Sequence, residues 1–334
     1  MLLFGTLRAL LAGAAVFAVL RVVAAVAWLW REYGSELRLD RALLRVQLAY
    51  ALPFAAAVLV HILQENFHQY AVSSRFDAAT FAVYAVGCLQ IPLVDFLSTS
   101  VSSVMMLRMA EDRAAGRTDR ILPHWHDTTR KLALLICPLV GLLLVNAQAI
   151  IHVLFTARFL ASAPILMLWS LAFLAAILQI DGMLRVYADT RFLLFMNLGR
   201  LGLVLLLIYP FLGMFGLQGA VIVTLLALFS GKALALSRIG RLMQVGTRRL
   251  LPWFDLGRIF AACAAALLPA LLIRSAVSLP PWISLLVTGS VYALTCATLL
   301  LLLKVVAIPP ALLGSTWIGR RGAWLARTEP GQTP

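Results

Sequence analysis

The chain has 334 residues, of which 62% are hydrophobic and only 13% charged, and its mean hydropathy is +0.95. A soluble fold needs far more polar surface, so composition excludes a soluble enzyme or binding module. The net charge of +14 and pI near 10.6 would suit nucleic-acid binding in a soluble protein, but here the arginines flank long apolar segments, where anionic lipid headgroups supply the counter-charge.

A bilayer core of about 30 Å needs roughly 20 apolar residues in a helix, because its backbone polar groups find no water there. In chain order, segments of that length predict nine spans: 7–30, 43–63, 78–106, 132–153, 161–182, 192–210, 216–236, 259–273 and 282–303. The gap after the first span carries Arg31, Arg38, Arg41 and Arg45. That after the third carries Arg108, Arg113, Arg117, Arg120, Arg130 and Lys131. Arg185 and Arg191 follow the fifth span. Lys232, Arg238, Arg241, Arg248, Arg249 and Arg258 are assigned to the gap after the seventh, and Lys304, Arg320, Arg321 and Arg327 to the tail. The alternate gaps hold only Arg8, Arg75, Arg158 and Arg274. The positive-inside rule then predicts an external N-terminus and a cytoplasmic C-terminus. Cleavage after Ala25-Val26-Ala27 would invert the first basic gap, so the first segment is read as a retained span rather than a signal peptide.

Cys88, Cys137, Cys263 and Cys296 are dispersed among the spans and read as packing residues. His124 and His126 flank Trp125 in what reads as a solvated loop, with no third ligand nearby, so neither metal nor cofactor is expected. Trp317 and Trp324 read as an interfacial anchor in the tail.

The outward loops are short, the longest being 64–77, which directs function to polar groups between helices. Arg21 and Arg200 lie mid-span, where an arginine costs about 2.5–3.5 kcal/mol on insertion scales. They are candidate substrate-binding residues, since a guanidinium grips phosphate in bidentate fashion. The alternatives are a buried ion pair with Asp95 or Asp181, or snorkelling. In the third span Asp95, Ser98, Thr99, Ser102 and Ser103 share one helical face, and Pro92 should kink the helix beside them. Asp95 is the candidate for ion coupling. Asp181 and Arg185, four apart, read as a structural ion pair. Asn146, Gln148 and Asn197 can bond across helices, and Pro53, Pro138 and Pro269 interrupt their spans. Discontinuous helices with intramembrane polar groups suit a transporter. No Gly-rich phosphate-binding signature followed by Lys and Ser or Thr is present, so transport would be gradient-driven.

Several stretches resemble the polysaccharide transport branch of the multidrug/oligosaccharidyl-lipid/polysaccharide (MOP) exporter superfamily, which includes Wzx-type O-antigen flippases. They are LAYALPF at 48–54, SSRFDAATFAVYAVGCLQIPL at 73–93, MAEDRAAGR at 109–117, IIHVLFTARFLASAPIL at 150–166 and FLGMFGLQGAVIVT at 211–224. The resemblance implies an all-α, polytopic, MATE-like fold lacking most of the first of two lobes. Residues 1–42 would hold the last helix of that lobe and the inter-lobe loop, 43–240 the six-helix second lobe, 241–305 an extra helix pair, and 306–334 a cytoplasmic tail. It implies a non-enzymatic flippase of the bacterial inner membrane that moves a polyprenyl-diphosphate-linked oligosaccharide, with no cofactor and no nucleic-acid partner. Its partners would be that lipid-linked oligosaccharide, the bilayer and a separately encoded N-terminal lobe. The competing readings are a multidrug or cation antiporter of the same superfamily, a transport-inactive half, and a membrane-embedded glycan enzyme, the last disfavoured by the short outward loops.

Overall fold

A computed structural model describes residues 7–34, 40–276, 280–303 and 305. Among the described residues there is no strand, and nine helical segments are long and apolar enough to cross a membrane. The chain is an all-α polytopic membrane protein. Arg38, Lys304 and the whole segment 306–334, with Trp317, Trp324, Arg320, Arg321 and Arg327, lie outside the described residues, as does the side chain of Arg8.

The chain divides into two compact units, Met1–Leu52 and Pro53–Pro334. The first holds α1 (Leu7–Tyr33) and the opening turns of α2 (Arg41–Arg75). Asp40 starts α2 by accepting from the backbone N–H of Ala42 at 2.8 Å. Along α1 every described side chain from Ala12 to Tyr33 is exposed, which suits a helix whose solvent is lipid.

The second unit begins at Pro53, through which α2 stays helical as far as Arg75. That length overturns one expectation. The stretch 64–77 is not an outward loop, because Gln64, Glu65 and His68 belong to α2. The predicted third span is two helices, α3 (Ala78–Gly87) and α4 (Pro92–Ala114). Pro92 starts a helix rather than kinking one. Its ring disfavours helical backbone at Ile91, which is extended (φ −110°, ψ 98°), while its own φ suits the first helical position.

Next comes α5 (Ile121–Phe155), which takes in His124, Trp125 and His126 and so replaces the expected solvated loop. Trp125 is fully buried, His124 pairs with Asp112 at 3.0 Å, and His126 lies 2.9 Å from the Arg249 carbonyl. This helix is the centre of the unit. It packs against α4, against α6 (Ala163–Ser170), and against the pair α11 (Trp253–Ala276) and α12 (Pro281–Leu302). Pro138 and Pro269 lie within α5 and α11, which continue through them. The predicted fifth span is fragmented. A tight 3-10 segment, Leu171–Ile177, follows α6, and the backbone is extended at Leu178 (φ −99°, ψ 98°) before α7 (Ile180–Val186) begins. A hairpin follows, of α8 (Thr190–Phe215) and α9 (Leu217–Leu242), turning at Gly216 with φ +57°, which favours glycine. The short α10 (Thr247–Leu250) leads to α11.

Candidate functional site

Both helix interruptions open onto one cavity of about 390 Å³ inside the second unit. Each places an aspartate in the first turn of the helix that follows: Asp95 on α4 and Asp181 on α7. Both carboxylates line the cavity. Helix α2 adds Glu65, with His61 and Gln64, while the hairpin adds Arg200 from α8 and Lys232 from α9. Trp169 and Phe173 form part of the apolar wall.

Arg200 is held in place by two helices. Its Nη1 donates to Asn197 Oδ1 at 3.3 Å, and the Asn197 amide donates across to the Ala57 carbonyl of α2 at 3.1 Å. With the Gln64 amide oxygen turned to the guanidinium, Gln64 accepts from Nη2 at 3.1 Å and from Nε at 3.3 Å. The arginine stem lies against Gly231 of α9, where a Cβ would collide with it. Three of the five guanidinium N–H groups are thereby engaged, leaving one on each terminal nitrogen.

Lys232 Nζ donates to the Leu178 carbonyl at 2.7 Å, satisfying a backbone acceptor that the helix interruption frees. The acidic groups are less engaged. Among the described residues Asp95 and Asp181 form no hydrogen bond or ion pair with another side chain, and Glu65 has only His61 at 3.9 Å. Three carboxylates therefore face two cations. The cavity is mixed in charge rather than cationic.

A smaller cavity of about 190 Å³ shares His61, Asp181 and Arg200 with the first and adds Phe54 and Arg185. The expected Asp181–Arg185 ion pair is not closed. The Arg185 guanidinium instead lies over the Phe54 ring, 4.8 Å from its centroid, and its Nε has no partner. The polar face predicted around Asp95 is divided by packing. Thr99 lines the cavity beside Asp95, while Ser98 is buried. Arg21 belongs to α1 in the first unit, and the cavity is built wholly from the second.

Residues 2–164 match the sequence model of a family described as "Polysaccharide biosynthesis protein". No curated protein and no solved structure matches the chain. The matched stretch carries His61, Glu65 and Asp95 and ends before Asp181, Arg200 and Lys232.

Sequence reasoning missed Glu65 and Lys232. A signal existed for the first, since His61, Gln64, Glu65 and His68 have the spacing of one helical face. Lys232 was counted with a basic gap although it falls inside the predicted span 216–236, and the structure places it within α9, ten residues before its end.

Proposed function

We propose that the chain is a transporter rather than an enzyme, and that it moves a lipid-linked oligosaccharide across the membrane by alternating access around this cavity. The observation that carries the reading is the convergence of two interrupted helices on a charged cavity, the arrangement by which transporters bind polar substrates at membrane depth. The family match of residues 2–164 supports a glycan-related substrate. A polyprenyl diphosphate supplies an anionic group for the two free N–H groups of Arg200. Asp95, unpaired in the first turn of α4, is the proposed site of proton or cation coupling. Arg21 carries a separate proposal as a mid-helix arginine able to meet an anionic substrate.

The test is surface glycan in a cell that depends on this gene, complemented with Arg200→Gln. Glycan display should fall at least tenfold at equal protein level. Undiminished display would remove Arg200 from the proposal.

A second reading has its own support. Asp95 and Asp181 offer unpaired carboxylates to an organic cation, with Glu65 beside them, which favours a cation antiporter. Deletion separates the two readings, because loss of glycan favours the flippase and raised sensitivity to cationic dyes favours the antiporter.

A further inference from the structure

A separate cavity of about 310 Å³ lies between α4 and α5 and shares no residue with the site above. These helices are consecutive and joined by a short basic turn containing Arg117 and Arg120, with Arg113 in the last turn of α4. The cavity has two halves. Nearer the turn are Arg108, His124 and Asp127; further along α4 are Val101, Val104 and Met105. Val104 on α4 and Leu135 on α5 are exposed apolar residues further from the turn than Arg108 and Lys131 respectively.

The basic groups here differ in how they are engaged. Arg117 and His124 both bind Asp112, at 2.8 and 3.0 Å, and Arg113 donates to the Val186 carbonyl. Lys131 stands ten residues into α5, but its Nζ reaches back one turn to Asp127 at 2.6 Å. That is the posture of a lysine snorkelling toward a polar interface. The pair uses one of its three ammonium donors. Arg108 has no hydrogen-bond or ion-pair partner among the described residues. An unpartnered guanidinium and a partly used ammonium thus border an apolar groove at the basic end of two membrane helices.

We propose that this groove binds an anionic phospholipid, its phosphate held by Arg108 and Lys131 and one acyl chain lying along Val104 and Leu135. Basic pockets between membrane helices select such headgroups because the phosphate meets its counter-charge while the chain stays in hydrocarbon. With Asp127 offsetting one cation, the groove carries a net positive charge, which matches a phosphodiester bearing no amine. A water-filled crevice with solvated surface charges would show neither headgroup preference nor chain dependence.

The test uses the purified full-length protein and native mass spectrometry, titrating phosphatidylglycerol against phosphatidylcholine of the same chains. The wild type should retain phosphatidylglycerol preferentially. Arg108→Gln with Lys131→Gln should reduce that preference by about 25-fold, at roughly fivefold per lipid-facing charge. Arg108→Lys should keep most of it, and the control Arg248→Gln with Arg249→Gln, on exposed positions of α10, should keep all of it. Equal retention of the two lipids by the wild type, equal loss in the control, or displacement by millimolar glycerol phosphate would each overturn the proposal.

Discussion

Lys232 Nζ and the Leu178 carbonyl, 2.7 Å apart, join α9 to the point where the chain breaks between a 3-10 segment and α7. The contact explains how an extended residue is tolerated inside a membrane helix. A backbone acceptor that loses its intrahelical donor must find another partner, because lipid supplies none. Lys232 therefore supports the interruption that positions Asp181.

Lys232→Met should consequently destabilise the protein by about 1–3 kcal/mol, the penalty for a buried acceptor left without a donor. The measurement is thermal unfolding of the detergent-solubilised protein, with Lys232→Arg as a variant that keeps a donor. An unchanged midpoint in Lys232→Met would show that the Leu178 carbonyl does not depend on it.

Gly231, the preceding residue, makes a different prediction. A Cβ there would collide with Arg200 Cδ, in the middle of the stem, so the arginine must shift to make room. Gly231→Ala should displace the guanidinium from Asn197 and Gln64. Glycan display in complemented cells should fall as it does for Arg200→Gln, while the protein still reaches the membrane. Normal display in Gly231→Ala alongside a defect in Arg200→Gln would mean that the arginine tolerates displacement.

The fold was more legible in the sequence than the site was. Span number follows from apolar run length, and α8 and α9 begin within two residues of their predicted starts, although they run five and six residues past the predicted ends. The two interruptions were harder to read. Pro92 marked the first, but sequence alone did not distinguish a kink from a new helix start, since that depends on whether Ile91 is extended. Leu178 has no proline or glycine beside it. Its break is maintained by Lys232, a tertiary contact 54 residues away in sequence. Arg200 was recognised because charge in an apolar run is conspicuous, whereas Glu65 was hidden by an assumed loop.

The packing of α12 on α5 rests on a missing side chain. Gly141 faces the ring and hydroxyl of Tyr292, and a Cβ there would collide with both. Gly141→Ala should cost about 1–3 kcal/mol through overpacking. The Tyr292 hydroxyl is buried and has no hydrogen-bond partner, so Tyr292→Phe should be neutral or stabilising and should relieve part of the Gly141→Ala defect. Thermal unfolding of the two single variants and the double variant reads both effects. Additive losses would show that the two residues do not meet.

The start of α3 gives a pH-dependent prediction. Asp77 accepts from Thr80 Oγ1 at 2.5 Å and from the backbone N–H groups of Ala79 and Thr80 at 3.1 and 3.4 Å. The Thr80 hydroxyl, followed by the Thr80 backbone N–H, holds the carboxyl below its ordinary value. A carboxyl depressed in the folded state stabilises it fully above the unfolded value of about 3.9 and loses that contribution as pH falls through the lower folded value. The difference in unfolding temperature between wild type and Asp77→Ala should therefore stay constant from about pH 7 to pH 5 and shrink below about pH 4. Asp77→Asn should keep much of the cap with no such dependence, because an amide oxygen also accepts from the first turn. Thr80→Ala should begin its loss at higher pH by removing the largest cause of the depression. A difference that persists unchanged into strong acid would show that the Asp77 carboxylate is not what starts α3.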